Sequence, residues 1–131
     1  MKRSPLSPLS KALFERLKEA LPVPVYDHVP AGKKAPYAVL TDTSAESWDT
    51  KTVCGANVLA TLKVLSEYQG DKEVAQISDG AISAIRSQPL ILSGGWEVVL
   101  PSVDSHSVER LDTHREATVI FKFTIIDTKE G

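Results

Sequence analysis

Leucines at 6, 9, 13 and 17, followed by Ala20 and Leu21, recur at intervals of three or four residues. That spacing gathers apolar side chains on one stripe of a helix. Ser7 before Pro8 supplies a start signal, because a serine oxygen accepts from an orphan backbone N–H and proline at the first position has no donor to lose. Ser4 before Pro5 competes for that role. Pro22 and Pro24 stop the helix by Leu21. Residues 23–29 then read as extended, and 30–36, with Gly32 between two prolines, as a loop. A strand is predicted over 37–43.

Residues 44–56 are small, polar and turn-forming around Trp48, and they read as a long loop or a protruding hairpin. Alternation is clear over 57–66, where Val58, Ala60, Leu62 and Val64 share one face. After Gly70, Asp71 is a candidate N-cap for a second helix whose Val74, Ile77, Ala81 and Ile85 step by three or four to an end near Arg86. Pro89 closes it. Gly94 and Gly95 mark a turn before a strand over 96–100, and a polar strand occupies 103–111. The strongest strand is 116–127, with Ala117, Val119, Phe121, Phe123 and Ile125 on one face. Short connections make antiparallel neighbours the expectation, so the predicted fold class is α+β: two helices packed on an antiparallel sheet, with one protruding loop or hairpin.

The length of 131 residues fits a single domain, 1–131, built on one core. Hydrophobic residues at 42% and charged residues at 24% are ordinary globular values and exclude a disordered tail. A net charge of −2 argues against general affinity for nucleic acid. The charge is uneven, however. Residues 1–34 hold seven Lys or Arg against three acids, a local +4 that leaves −6 for the remainder. This pattern is compatible with surfaces of opposite sign meeting in an assembly. No run of 18 apolar residues or signal-type segment occurs, so no membrane association is expected and the default compartment is the cytoplasm.

Catalytic motifs are hard to find. His28, His106 and His114 are far apart, and Cys54 has no cysteine partner, so no metal or cofactor is expected. Asp104 and His106 would share a face of a regular strand and orient each other, the nearest approach to a hydrolase pair, with Cys54 as a conceivable nucleophile. Against this, polar strands commonly carry such pairs and no nucleophile, base and oxyanion set is complete. No catalytic residue is therefore assigned. Trp48, with Asp49 and Lys51 beside it, is either a loop anchor folded on the core or an interface anchor, and Tyr68 is a rim or interface residue. Trp96 opens an apolar strand and is expected in the core.

Three segments, LPVPVYDHVPAGKKAPYAVL, WDTKTVCGANVLATLKVLSEYQGDKEVAQISDGAISAI and VERLDTHREATVIFKFTI, in that order, resemble the tail terminator or tail completion (head-tail joining) proteins of long-tailed bacteriophages and prophages. Glu67 departs from the basic residue expected there. The resemblance implies a non-enzymatic structural virion protein, located in the tail after assembly in the host cytoplasm. It further implies a hexameric ring that caps the tail tube, stops its polymerisation and joins the head connector. Its partners would be itself, the tail tube protein and the connector protein, with DNA passing through without specific binding. Trp48, Asp49, Lys51 and Tyr68 are then candidate contacts with neighbours or tube. The alternatives are a small hydrolase using Asp104 and His106, and a regulatory domain binding peptide or nucleic acid through its basic first helix.

Overall fold

The computed structural model describes residues 3–68 and 70–129. In chain order the elements are helix α1 (Leu6–Ala20), strands β1 (Val25–Tyr26), β2 (Tyr37–Asp49) and β3 (Cys54–Ser66), helix α2 (Lys72–Ser87), and strands β4 (Ile91–Leu92), β5 (Trp96–Arg110) and β6 (Arg115–Asp127). They form one six-stranded sheet in the order β1-β2-β3-β6-β5-β4. Both helices pack on the same face, and the fold is α+β.

The two strongest alternations form the centre of the sheet. β3 and β6 pair antiparallel from Gly55↔Ile126 to Ser66↔Arg115. Val58, Ala60, Leu62 and Val64 on one strand, and Ala117, Val119, Phe121, Phe123 and Ile125 on the other, are buried beneath the helices. From α1 come Leu9, Leu13 and Leu17; α2 contributes Val74, Ile77, Ala81 and Ile85. Each such side chain contributes roughly 1.5–3 kcal/mol by leaving water, so this layer is the main source of stability.

Local chemistry refines the predicted boundaries. α1 starts at Leu6, earlier than the Ser7–Pro8 reading, and Ser4 Oγ accepts from the Leu6 N–H at 3.3 Å. Pro8 is accommodated because the first four helical N–H groups have no intrahelical acceptor in any case. Arg16 on α1 donates to the carbonyls of Ala84 (2.9 Å), Gln88 (3.0 Å) and Pro89 (3.0 Å). It thereby satisfies orphan acceptors where α2 ends and fixes the two helices to each other. Asp71 is the N-cap residue of α2 but makes no side-chain cap bond. Its carboxylate faces Arg110 at 3.5 Å and Arg115 at 3.3 Å, tying α2 to the β5–β6 turn.

Several strand expectations are corrected. Within 23–29 only Val25 and Tyr26 form a strand, and it runs parallel to β2, so the sheet is mixed. Pro24 and Pro30 leave too few donors around it for a longer ladder. Residues 44–56 form the distal half of the β2–β3 hairpin. It lies in the sheet from Asp42↔Thr61 to Asp49↔Cys54, because β3 is held by β6 on its other side. Residues 96–111, read as two strands, are one strand with register shifts at Val99 and Asp104. The bulges let the ladder continue past Pro101.

Candidate functional site

Strand alternation gives the sheet a second face, opposite the helices. Leu59, on that face, is 38% exposed. By register this open face carries Asp42, Glu46, Glu97, Asp104, Glu109 and Glu116 against Lys63 and Lys122. Lys63 Nζ stands 3.6 Å from Glu116 Oε1. At its middle is a shallow polar hollow of about 420 Å³, lined by Ser44, Glu46, Asn57, Leu59, Asp104 and Lys122. Acids outnumber bases across the face, so it repels polyanions instead of collecting them.

Trp48 occupies this face at the hairpin end, directly opposite Gly55. Its indole lies flat on that glycine: a Cβ at residue 55 would stand 2.3 Å from the ring. The half-buried tryptophan is thus held by the missing side chain of its neighbour. Asp49 accepts from the Gly55 N–H at 3.4 Å, and exposed Lys51 sits in the turn beyond. Tyr68, 53% exposed, follows the far end of β3. Gly55 and Ser66 are eleven residue steps apart along β3, roughly 35 Å at strand rise. The structure therefore gathers Trp48, Asp49 and Lys51 at one end of the sheet and puts Tyr68 at the other.

The Asp104–His106 pairing is corrected. A bulge at Asp104 turns its side chain into the hollow on the open face, whereas His106 lies opposite Val119 on the helix side. There His106 Nε2 is 2.8 Å from Ser78 Oγ, and Nδ1 is 3.9 Å from Asp79 Oδ1. Sequence reasoning missed both partners. The available signal was a serine interrupting the apolar stripe of α2. Fully buried Ser78 donates to Val74 O at 2.7 Å, and the hydrogen bond it shares with His106 Nε2 fastens α2 to β5. Cys54 lies at the start of β3, paired with Asp49 and remote from His106 along the sheet. Among the described residues, no group of three or more His, Cys, Asp or Glu is arranged to hold a metal. No described helix is long and apolar enough to cross a membrane.

Arg3 was also unremarked in the sequence. Its guanidinium donates to both carboxylate oxygens of Asp127, which is 4% exposed, and to the carbonyls of Gly94 (2.7 Å) and Gly95 (3.2 Å). It also lies 4.2 Å from the centre of the Trp96 ring. Trp96 is consequently a half-buried platform at the margin of the core.

The margins of the sheet differ in character. Beyond β1, the outer edge of β2 is unpaired, and α1 runs beside it to leave a groove of about 340 Å³ lined by Ser10, Lys11, Phe14, Asp27, Leu40 and Thr43, with Thr41 and Asp42 at its rim. At the other margin, β4 covers β5 only at Trp96 and Glu97. Beyond it Val99 and Leu100 are exposed, with Ile91 beside them.

Comparison with known proteins supplies the context for these surfaces. The model of a family described as "Tail completion protein gp17" matches residues 11–126. Among solved structures, the chain is similar to one in the virion of a native gene transfer agent particle, with 20% identity, a TM-score of 0.82, and coverage of 94% of this chain and 98% of that one. It is also similar to the bacteriophage SPP1 gp17 protein, at 20% identity and TM-score 0.57, covering 90% and 88% of the respective chains. These likenesses show a shared fold. No curated protein sequence matches.

Proposed function

This chain belongs to the tail completion protein gp17 family, and from that premise we propose that it completes the phage tail by forming a hexameric ring on the end of the tail tube. It is a structural protein of the phage tail. In the proposed role the ring stops tube polymerisation and presents its far side to the head connector. The single observation carrying the reading is the family match over residues 11–126, nearly the whole chain.

The geometry supports this role in two ways. A closed ring of identical copies needs two different, complementary surfaces on each protomer, and the two margins of this sheet are different. A channel for DNA needs walls that do not hold phosphate, because each favourable lysine or arginine contact would retard passage. The open face, with six acids against two lysines, suits the lumen of such a ring. The proposed partners are further copies of this chain, the tail tube protein and the connector protein, with DNA passing through unbound.

Cryo-electron microscopy of the purified chain mixed with tail tubes tests the proposal. A ring at one end of each tube, and tubes that no longer elongate when monomeric tube protein is added, are the expected results. Continued elongation at wild-type rate, with bare tube ends, would refute it.

A further inference from the structure

Arg3 precedes α1, yet its guanidinium is surrounded by groups from β5, β6 and the turn between β4 and β5, and those groups are held in place by one another. Gly94 and Gly95 form the turn with φ of 91° and 81°, a conformation open to glycine that presents both carbonyls to the guanidinium. The Leu92↔Trp96 pair closes the turn, and the Thr128 N–H donates to Gly95 O at 2.8 Å. Asp127 is placed by its ladder pairing with Trp96, and its Oδ1 also accepts from the Lys129 N–H at 3.0 Å. The indole of Trp96 lies against the turn, with two ring atoms 3.6 Å from where a Cβ of residue 94 would stand. None of these supports comes from the segment that carries Arg3.

The chemistry of this socket selects one kind of ligand. Arg3 Nε–H donates to Asp127 Oδ2 at 2.9 Å and Nη2–H to Oδ1, the side-on pairing of a carboxylate with an N-alkylated guanidinium. Nη2 also reaches Gly95 O at 3.2 Å, and Nη1 reaches Gly94 O at 2.7 Å. The ring of Trp96, with its centre 4.2 Å from the guanidinium carbon, adds a cation–π contact. An ammonium is a compact point charge and cannot span two carboxylate oxygens and two carbonyls while lying flat on an indole. Asp127 is 4% exposed, so its charge needs a closely bonded cation. The Arg3 side chain remains 31% exposed, which gives the socket an opening to solvent.

We propose that Asp127, Gly94, Gly95 and Trp96 form a preformed arginine socket, filled in cis by Arg3, which accepts a peptide-borne arginine of another protein once Arg3 is withdrawn. Arg3 is then a competitor as well as a clasp. A tethered side chain has an effective concentration of about millimolar or more, so it excludes solutes and yields only to a partner that gains further contacts beside the socket. The assignment does not depend on the ring reading.

The full chain carrying Arg3→Ala, which empties the socket, is titrated with N-acetyl-arginine amide while the Gly94, Gly95 and Thr128 amides are followed by nitrogen–proton correlation NMR. N-acetyl-lysine amide at the same ionic strength is the control. Saturable shifts at these amides are expected with the arginine probe, with binding at least about tenfold weaker for the lysine probe. The unmodified chain should show none, and adding Asp127→Asn to Arg3→Ala should abolish them. Where Arg3→Ala proves too unstable for NMR, Arg3→Gln takes its place, and a saturable rise of its melting midpoint with the arginine probe is the expected result. Absent or non-saturable shifts in the folded variant, an unmoved midpoint, equal binding of the lysine probe, or binding that survives Asp127→Asn would overturn the socket. Saturable binding by the unmodified chain would overturn the role of Arg3 as its occupant.

Discussion

Replacing Gly55 by alanine adds one methyl group where three indole carbons of Trp48 would stand within 2.6 Å of it. No flexible side-chain end can yield there, so the ring itself must swing away from the strand. A buried tryptophan covers roughly 150–250 Å²; lifting one face of it exposes about 100 Å². At about 25 cal/mol per Å², with the unfolded chain taken as partly compact, the cost is about 2 kcal/mol. Once Trp48 is alanine the clash is gone, and Gly55→Ala should be neutral or slightly stabilising, since glycine is the costlier residue in a strand interior. The experiment is a double-mutant cycle in urea followed by far-ultraviolet circular dichroism. A coupling of about 2 kcal/mol between the two positions is expected. Additive effects would refute the stacking. So would a Trp48→Ala loss matching the typical 3–5 kcal/mol of a buried aromatic, because the tryptophan would then be a core anchor and unavailable to neighbours.

Phe121→Ala should destabilise by roughly 3–5 kcal/mol, whereas Lys122→Ala should change little; equal urea midpoints would contradict the register, since a one-residue slip exchanges the faces. Gly80→Ala should raise the melting temperature by the equivalent of up to about 1 kcal/mol, because its new Cβ meets only Leu21 at an ordinary 3.5 Å; a lowered midpoint would show that α1 and α2 need closer approach there. Arg3→Ala should cost roughly 2–3 kcal/mol by leaving the nearly buried Asp127 carboxylate poorly compensated, and Arg3→Lys should restore part of it in thermal melts. The purified chain should show no salt-sensitive affinity for duplex DNA in fluorescence anisotropy; submicromolar binding that weakens steeply with salt would instead favour a nucleic-acid-binding domain.

The residues that carry the core were readable because burial on one face leaves a strict period. Every second residue is apolar from Val58 to Val64 and from Ala117 to Ile125, with Leu59 and Ile120 the only apolar residues between them, and the stripes of α1 and α2 keep their three-four rhythm. What escaped was whatever breaks a period. A bulge inserts one residue without changing composition, so the sequence offered no sign that Asp104 and His106 part company. The polar run 44–49 gave no alternation because its outer edge and most of its side chains meet water, although it is a strand. Gly55 was a legible clue passed over: an isolated glycine in a strand marks close approach of another group, and here that group is Trp48. Long-range polar contacts such as Arg3 with Asp127 and Arg16 with the end of α2 leave no local pattern at all. They arise only when distant segments meet.

The order of strands also governs when this protein becomes itself. β2 with β3, and β5 with β6, are hairpins of neighbouring segments and can zip locally within microseconds. The seam between them, β3 against β6, joins segments far apart in the chain and is the slow, entropically costly step. Since β6 follows β2, β3 and β5 in the chain, yet lies at the middle of the sheet, the sheet lacks its centre until that strand docks. Until then Val58, Leu62 and Val64 have no β6 beside them. The two margins of the sheet acquire a fixed separation only when the seam closes. Docking of this one strand thereby turns two separate hairpins into a single surface, so the faces and edges described above come into being together.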